Sequence, residues 1–424
     1  MPSRNRTGPL PRRIASHKIP VDRISRSAIR VVESLQKANY ETYLVGGCVR
    51  DLLLSRIPKD FDVATSATPE EVKKVFPRAR LIGRRFRIVH VRVGREIIEV
   101  STFRKQIGPN DTSNYIEHEA RDGVIVRDNV YGSIDEDAFR RDFTVNALYY
   151  DPANNTVLDF VKGMQDLGSR TLRLIGNPKV RYQEDPVRIL RAIRLSAKLD
   201  FTLEKSTATA IAPAGEMLNV VPSARLFDEL NKLFMSGKAK RAFELLLKFN
   251  LLGILFPLAS DSTDLVTAAL HSTDQRIAQE KPVTPGFILA ALLWNPYQSQ
   301  YNSRATIGTP QENQFDAART VIREQQHTIA IPKRHAFFMR DVWHLQSRLE
   351  RRNPRSILPL LEHRRFRAAY DFLLLRAKNA EVEPGLVQWW TAIQTLNPTE
   401  QQEQISALPP QKKKRRRRPK RENA

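Results

Sequence analysis

The stretch LVGGCVRD at residues 44–51 is the part of the sequence that decides the fold. Its apolar start predicts a short strand, and Gly46 and Gly47 predict a tight turn, because glycine adopts backbone conformations closed to other residues. Cys48 is interpreted as a small residue that fills this turn rather than as a reactive thiol. Residues 49–54 read as a helix, whose N-terminus would face a phosphate brought close to the glycine backbone.

Twelve residues separate Gly47 from Asp60, which opens the run Asp60-Phe61-Asp62. As a strand over residues 59–63, this run would place both carboxylates on one face and Phe61 in the core, because alternate strand residues project to the same side. Two carboxylates this close repel unless a cation lies between them, and Mg²⁺ prefers oxygen ligands. A glycine turn followed by an acidic strand end would explain each half alone. The presence of both, with the glycine turn first and the acidic run after it, favours metal-dependent phosphoryl transfer.

The run FRRDFTVNA at residues 139–147 is predicted to be helical. Its apolar residues recur every four positions and would form the buried face: Phe139, Phe143 and Ala147. That leaves Arg140, Arg141 and Asn146 free for a ligand. Guanidinium groups suit forked contacts with triphosphate oxygens, whereas a salt-bridged surface helix would explain the run without a ligand.

The run EDPVRILR at residues 184–191 predicts another helix start. Asp185 is the expected N-cap and Pro186 the first helical residue. Arg188 and Arg191 would lie one turn apart on the same face. A capped helix with solvated arginines explains this run without a ligand.

Taken together, the runs resemble motifs of the tRNA nucleotidyltransferase/poly(A) polymerase family. Residues 44–62 resemble its motif A, and residues 140–147 match its motif B, Arg-Arg-Asp-Phe-Thr-x-Asn-Ala. Residues 184–188 match its nucleobase-selecting motif, Glu-Asp-x-x-Arg. The resemblance covers roughly residues 25–395 and is most specific in the first half of the chain.

This resemblance implies roles for individual residues in binding ATP. Asp185 and Arg188 would bond the edge of the base, so that protein side chains and no template strand select the nucleotide. The glycine turn and the arginines of motif B would hold the triphosphate. The nucleotide-binding residues implied in this way are Gly46, Gly47, Arg50, Asp51, Arg140, Arg141, Asn146, Glu184, Asp185, Arg188 and Arg191.

The resemblance also implies two Mg²⁺ ions, which Mn²⁺ could replace, on Asp60 and Asp62. Asp142 of motif B is a candidate third catalytic acid. Glu99 is its rival, because the superfamily places a third carboxylate on a neighbouring strand. Glu99 belongs to a β-hairpin that alternating residues predict over residues 87–100, with its turn at Gly94.

Charge and composition predict what the chain binds. The 424 residues include 69 Lys and Arg against 46 Asp and Glu, and a net charge of +23 predicts a polyanionic partner such as RNA. Part of the excess is a C-terminal run expected to be a disordered arm for RNA: Lys412, Lys413, Lys414, Arg415, Arg416, Arg417, Arg418, Lys420 and Arg421. A solubilising tail or a nuclear localisation signal is the alternative for this run.

A single cysteine excludes an internal disulfide framework and suits a reducing compartment. The longest apolar run, residues 287–294, is too short to span a bilayer, and no signal peptide is visible. We therefore expect a cytoplasmic protein without a membrane segment. RNA 3′ ends and ATP are the expected partners, and no sequence feature identifies protein partners such as RNA-decay proteins or RNA chaperones.

The expected fold class is α+β, with a mixed α/β nucleotidyltransferase head followed by an all-α half of neck, body and leg-like lobes. The predicted segments are a basic disordered N-terminus, the catalytic head, a helical neck that selects the base, an all-α RNA-binding body and a disordered basic tail: residues 1–24, 25–175, 176–240, 241–397 and 398–424. Residues 311–314 are expected to be a polar linker.

Three further segments favour the poly(A) polymerase branch of the family over the CCA-adding branch: residues 81–91, 331–343 and 365–371. The basic tail agrees, since an enzyme that tails many RNAs benefits from an indiscriminate RNA arm. No His-Asp dipeptide occurs, so the phosphohydrolase domain of some CCA-adding enzymes is not expected. The expected activity is template-independent polyadenylation of RNA 3′ ends, which transfers AMP from ATP and releases pyrophosphate. The alternatives are a tRNA CCA-adding enzyme and a catalytically inactive RNA-binding protein.

Overall fold

The computed structural model describes residues 10–83, 87–105, 118–121, 124–128, 130–259, 264–304 and 308–409. The chain divides into two compact units. One comprises Met1–Val221 with Glu244–Ile254, and the other comprises Pro222–Phe243 with Leu255–Ala424. These borders differ from the expected ones at 175/176 and 240/241, because the helices up to residue 221 pack with the head.

The first unit is built on β-strands. They are β1 (Arg12–Ile14), β2 (Thr42–Val45), β3 (Asp62–Thr65), β4 (Arg80–Ile82), β5 (Ile88–Val93), β6 (Glu96–Thr102), β7 (His118–Arg121), β8 (Val124–Asp128), β9 (Leu148–Asp151), β10 (Thr156–Asp159), β11 (Thr171–Leu172) and β12 (Thr202–Leu203). Eight of them form one sheet in the order β1-β10-β9-β2-β3-β6-β5-β4. In it β3 and β6 run parallel, and the other neighbours are antiparallel. The predicted hairpin over residues 87–100 is confirmed as β5 and β6.

The centre of this sheet is buried on both faces, which explains the continuous apolar run of β2. Leu44 packs with Tyr150 in one core cluster. Val45 packs with Tyr149 in a second cluster, because alternate residues of a strand face opposite sides. The glycine turn and the acidic run are therefore attached to strands buried on both faces.

The helices of the first unit are short and mostly capped. They are α1 (Arg26–Lys37), α2 (Gly47–Leu53), α3 (Pro69–Val75), α4 (Ile134–Arg140), α5 (Gly163–Gly168), α6 (Pro178–Glu184), α7 (Val187–Leu199), α8 (Lys205–Thr209) and α9 (Ile211–Ala214), with 3₁₀ turns at Val21–Arg23, Thr144–Asn146 and Gly215–Val220. Thr68 and Glu71 form a capping box at the start of α3, as the sequence predicts.

The remaining elements are all helices, which confirms the predicted α+β class with a helical C-terminal half. They are α10 (Ser223–Phe234), α11 (Ala239–Lys248), α12 (Leu252–Leu255), α13 (Asp264–Ala278), α14 (Pro285–Leu292), α15 (Trp294–Ser303), α16 (Pro310–Gln325), α17 (Lys333–Arg351), α18 (Pro354–Leu361), α19 (Phe366–Lys378), α20 (Pro384–Ile393) and α21 (Pro398–Ser406). In the second unit, fully buried Trp390 anchors the core around α17 to α21 and donates to the Leu349 carbonyl at 2.9 Å.

Three segments expected to lack structure are ordered. Within residues 10–24, β1 pairs with β10, and Ile19 and Ile24 enter the core. The sequence does not predict this strand, because pairing at a sheet edge uses backbone groups and tolerates charged side chains. Residues 311–314 lie in α16, and residues 398–406 form α21, both behind capping boxes. The predicted basic arm at residues 412–421 lies outside the described residues.

Among the helices that the structure describes, none is long and apolar enough to cross a membrane.

Candidate active site

The glycine turn joins β2 to α2. Gly46 has a φ of +81°, which strains any residue with a side chain, and a Cβ there would lie 3.6 Å from Nη1 of Arg141. The turn therefore needs glycine for its backbone conformation, whereas the guanidinium at 3.6 Å would leave room for a Cβ. Cys48, one residue into α2, is buried, and burial raises the pKa of its thiol to about 12. This agrees with a packing role and not with a reactive thiol.

The acidic strand is shorter than predicted. β3 begins at Asp62, and Lys59 and Asp60 lie in a bend before it. The alternation of side chains along a strand therefore does not determine where the Asp60 carboxylate points. Asp62 lies opposite Val45 of β2 and beside Glu99 of β6.

Burial and two neighbouring carboxylates determine the electrostatics of Asp62. Burial and the neighbouring carboxylates of Glu99 and Asp60 raise the pKa of Asp62 to about 6, against the opposing guanidinium of Arg141. Glu99 is half exposed and lies 3.3 Å from Nε2 of His90. Mutual repulsion of this kind is relieved by a bound cation.

Arg50 is held inside the unit. It is 4% exposed, and its Nε and Nη2 atoms donate to Asp51 at 2.9 and 2.7 Å. Its Nη1 atom donates to Oδ1 of Asn146 at 2.5 Å. Arg50 and Asp51, both predicted to contact the nucleotide, therefore link motif A to motif B through Asn146.

Motif B is not one continuous helix. α4 ends at Arg140, Arg141 is extended, and a 3₁₀ turn spans Thr144–Asn146. The predicted helical face is wrong for Phe139, which is 39% exposed, whereas Phe143 and Ala147 are buried. The break comes from tertiary contacts, since the backbone of residues 142–144 pairs with residues 173–175.

Arg141 was expected to be free for a ligand, but it is fixed by two buried side chains. Its Nε and Nη2 atoms donate to Oδ2 of Asp137 at 3.1 and 2.9 Å, and Nε lies 3.0 Å from the Tyr149 hydroxyl. The Tyr149 hydroxyl itself donates to the same Asp137 oxygen at 2.7 Å. Burial opposes ionisation of Asp137, yet the guanidiniums of Arg141 and Arg140 hold its pKa below the ordinary value. The guanidinium thus keeps its charge and its orientation beside the glycine turn.

Asp142 is paired within the protein. It is buried, accepts from the Phe143 amide at 2.8 Å and forms an ion pair with Nη2 of Arg191 at 2.5 Å. Asn146 donates to it at 3.4 Å. Burial works against the charge of Asp142, but Arg191, the Phe143 amide and Arg188 lower its pKa. Asp142 connects motif B to the base-selecting motif, while Glu99 is the strand neighbour of Asp62.

The base-selecting motif lies at the junction of α6 and α7. Arg188 donates from Nη1 to Glu184 at 2.9 Å and to the Arg181 carbonyl at 2.7 Å. Asp185 is buried and is the C-cap residue of α6, whereas Pro186 is the N-cap residue of α7. The predicted N-cap role of Asp185 is therefore wrong, because Pro186 takes the cap position.

Three residues of this network were not singled out from the sequence: Asp137, Tyr149 and Arg181. Asp137 stands four residues before Arg141, a helical spacing that could have indicated the pair. Arg181 donates to the carbonyls of Arg140 and Arg141 at 2.6 and 2.8 Å and to Glu184 at 2.8 Å. No sequence signal reports these backbone contacts.

Comparisons with known proteins identify the family of this chain. The family model described as "Poly A polymerase head domain" matches residues 42–173. "Probable RNA and SrmB- binding site of polymerase A" matches residues 200–262, and "Polymerase A arginine-rich C-terminus" matches residues 308–422. Poly(A) polymerase I of Escherichia coli O6:H1 is 44% identical over 406 residues, which cover 92% of this chain and 87% of the relative. The chain belongs to the poly(A) polymerase I family.

Poly(A) polymerase I of Haemophilus influenzae is 43% identical over 399 residues, 90% of this chain and 87% of the relative. The CCA-adding enzyme of Lactobacillus helveticus is 38% identical but covers 52% of each chain. The predicted preference for the poly(A) polymerase branch is confirmed. Poly(A) polymerases are nucleotidyltransferases that use ATP, as the motifs imply.

Solved structures show the same fold at greater sequence distance. The Thermotoga maritima CCA-adding enzyme complexed with tRNA superposes with a TM-score of 0.62 at 20% identity, covering 92% of this chain and 87% of that one. The Bacillus stearothermophilus CCA-adding enzyme in complex with CTP gives a TM-score of 0.56 at 24% identity, covering 86% and 80%. The head followed by a helical half is therefore shared by both branches.

Proposed function

We propose that this site extends RNA 3′ ends with AMP units from ATP, using divalent cations held by Asp60 and Asp62. The observation that carries the proposal is the register of β3 and β6, which sets Asp62 beside Glu99. Burial and the carboxylates of Glu99 and Asp60 raise the pKa of Asp62 to about 6, and acids in this arrangement are suited to cations such as Mg²⁺ or Mn²⁺. Two such ions, when bound, would lower the pKa of the RNA 3′-hydroxyl and stabilise the leaving pyrophosphate.

In the described part of the chain, no three His, Cys, Asp or Glu side chains are close enough to enclose a metal by themselves. This fits Mg²⁺, which is usually held by one or two carboxylates with phosphate oxygens and water completing its shell. The donors are therefore two aspartates, with Glu99 as the third acid that we favour for its register beside Asp62. Asp142 is assigned to the nucleotide side of the site, because its carboxylate already pairs with Arg191.

The chain itself orients ATP. Arg141, beside the glycine turn, is the best placed cation for a triphosphate, since Asp137 and Tyr149 fix its guanidinium. Arg140 would assist it. In the reaction the RNA 3′-oxygen forms a bond to the α-phosphorus of ATP, and the bond to pyrophosphate breaks. Arg50, Asp51 and Asn146 support this face from within.

Base selection is assigned to the α6–α7 junction. Arg188 presents a guanidinium whose position is set by Glu184 and by the Arg181 carbonyl. Asp185 and Arg188 together offer an acceptor and a donor, the pair needed to read an adenine edge. Arg191 anchors this junction to motif B through Asp142.

RNA binding is assigned to the helical half and to the basic run at residues 412–421. The net charge of +23 supports this proposal, as do the matched RNA-binding and arginine-rich models. One of these models also names SrmB, and we propose residues 200–262 as the region for a protein partner in RNA metabolism. A cytoplasmic location would give the enzyme both ATP and RNA.

The decisive experiment is primer extension with each nucleoside triphosphate separately and with CTP and ATP together. A long ladder with ATP alone supports polyadenylation, and addition that stops at CCA in the mixture would identify a CCA-adding enzyme. Asp60→Asn or Asp62→Asn should reduce extension by at least ~10³-fold with RNA binding nearly intact. Asp22→Asn, an exposed aspartate of the same unit, is the matched control and should extend normally. Near-normal extension by either site variant would contradict the metal assignment. If the parent protein does not extend RNA at all, the result would favour a catalytically inactive RNA-binding protein.

A further inference from the structure

A cavity of about 400 Å³ lies within the second unit, and residues of the segments 331–343 and 365–371 contribute to its lining. α13, α14, α17 and α19 border it, together with the loops that follow α13 and precede α19. Cavities that hold small ligands begin at about 300 Å³. This one is therefore large enough for a single nucleotide.

The cavity is strongly basic. Its lining includes four arginines and one carboxylate: Arg276, Arg364, Arg365, Arg367 and Asp371. Such an excess of guanidinium groups around one concave surface favours an anionic ligand, because planar N–H forks match phosphate oxygens.

The arginines are held to different degrees. Arg276 is fixed, since its Nε and Nη2 atoms donate to the Pro282 carbonyl at 3.2 and 3.1 Å. Arg364 is 75% exposed and lies 3.6 Å from Asp341, and Arg367 is 68% exposed and lies 3.0 Å from Asp371. Exposed ion pairs of this kind contribute little to stability, so a phosphate can take over these two guanidiniums at low cost.

One wall of the cavity is aromatic. Phe287 and Phe338 line it, and the guanidinium of Arg365 stacks over the Phe338 ring at 4.9 Å. A Cβ on Gly286 would lie 3.0 Å from Phe338, so glycine at the start of α14 allows this ring its position. Arginine beside aromatic rings is the combination that binds nucleotides without reading their sequence.

We propose that this cavity is a second nucleoside-phosphate site, which takes one nucleotide of an RNA strand with its phosphate on Arg364 and Arg367 and its base against the aromatic wall. An acidic peptide would satisfy the arginines but would leave the aromatic wall unused. The site rests on the RNA binding proposed above for the helical half and is independent of the metal assignment at Asp62. It would lengthen the residence of RNA on the enzyme.

The test compares the full-length Arg364→Gln/Arg367→Gln variant with Arg319→Gln/Arg355→Gln. The control removes the same charge from two exposed arginines of the same unit outside the cavity. Binding of a fluorescent oligo(A) RNA is measured at several salt concentrations, and thermal unfolding confirms that both variants fold. The cavity variant should bind oligo(A) about tenfold more weakly, with a salt slope flatter by roughly 0.7, the value for one lost phosphate contact. The control should change affinity less than about twofold.

Three further probes identify the occupant. If AMP affinity is unchanged in the cavity variant while oligo(A) affinity falls, the RNA strand is the source of the nucleotide. A parallel loss of AMP affinity would assign the same site to a free nucleotide. Phe287→Leu should weaken oligo(A) but not inorganic polyphosphate, because only the former carries bases.

Equal losses in the cavity and control variants would overturn the proposal, and so would a loss of poly-aspartate binding as large as that of oligo(A). Steady-state kinetics distinguish a failure of this proposal from a failure of the proposed active-site chemistry. Loss of the cavity arginines should raise the apparent KM for RNA, whereas a failure of the metal site abolishes kcat.

Discussion

Asp62 of β3 and Glu99 of β6 lie side by side in the parallel strand pair of the central sheet. Val45 of β2 stands on the other side of Asp62, so the carboxylate is flanked by an apolar strand and an acidic one. Burial in this position, together with Glu99 and Asp60, explains why the pKa of Asp62 rises to about 6. An ionised Asp62 is thus costly to the fold until a cation arrives.

This cost predicts a pH-dependent gain in stability for Asp62→Asn. The folded-state pKa of about 6 exceeds the ordinary value of 3.8, so the folded protein binds the proton more tightly than the unfolded chain. The resulting loss of stability develops as the pH rises between these values and is complete above them. In EDTA at about pH 7.5, Asp62→Asn should be more stable than the parent by up to about 2 kcal/mol, and this difference should vanish near pH 4.

Urea unfolding at the two pH values measures this difference, with Asp22→Asn as the exposed control. Millimolar Mg²⁺ should then stabilise the parent more than Asp62→Asn, because binding to the folded state alone raises stability. A stability difference that is equal at both pH values would contradict the electrostatic explanation.

The third acid can be identified by metal dependence. Glu99→Gln should raise the Mg²⁺ concentration needed for half-maximal extension several-fold, since Glu99 is the strand neighbour of Asp62. Asp142→Asn should instead raise the apparent KM for ATP, because it releases Arg191 and Asn146. Mg²⁺ titrations of extension at fixed ATP, with the exposed Glu33→Gln as control, distinguish the two. A shifted Mg²⁺ requirement in Asp142→Asn alone would restore Asp142 as the third acid.

Tyr149→Phe should loosen Arg141 without removing a charge. The lost hydroxyl lies 3.0 Å from Arg141 Nε and 2.7 Å from Asp137. A loss of about 1 kcal/mol in the free energy of ATP binding corresponds to roughly a fivefold rise in the KM for ATP. Tyr150→Phe is a matched control, because Tyr150 faces the opposite side of the sheet and also loses one hydrogen bond, to Asn155. Steady-state kinetics measure the KM for ATP of both variants. Equal changes in KM would reduce Tyr149 to a packing residue.

Arg188→Ala should weaken the preference for ATP more than it weakens RNA binding. The guanidinium is positioned by Glu184 and the Arg181 carbonyl, and loss of a buried donor to the base costs on the order of 1–3 kcal/mol of discrimination. The measurement is kcat/KM for ATP, CTP, GTP and UTP, with exposed Lys179→Ala as control. Unchanged ratios among the four nucleotides would place base selection elsewhere.

Truncation after Pro410 tests the basic run, which holds nine Lys and Arg side chains. If about four of them neutralise phosphates at one time, the plot of log K against log salt for single-stranded RNA should flatten by roughly 3. The apparent KM for RNA should rise, and kcat at saturating RNA should stay within about twofold. An unchanged salt slope would leave the run with a solubility or targeting role.

Local sequence signals were enough for most secondary structure. The glycine turn, the hairpin around Gly94 and the capping box at Thr68 follow from the conformations that a few adjacent residues prefer, and the structure contains all three. Helices with clear apolar periodicity, such as α10 and α17, were likewise predictable.

Predictions from local sequence were wrong where backbone pairing or helix capping outweighed the polar composition of a segment. Arg12–Ile14 reads as a basic tail but adds an edge strand, and Pro398–Ser406 reads as a linker but is capped by Asn397 and Glu400. In motif B, periodicity predicted a continuous helix, whereas pairing of Phe143 with Leu174 breaks it after Arg140.

By itself, the sequence determined the family, the reaction class and the inventory of acids and arginines, because motif spacing is a property of the chain alone. Only the tertiary structure decided their partnerships. It placed Glu99 beside Asp62 and Arg191 on Asp142 across long stretches of chain, and Tyr149 on Arg141 across a broken helix. Strand register and buried ion pairs depend on which segments pack together in the folded core, and no local residue pattern specifies those segments.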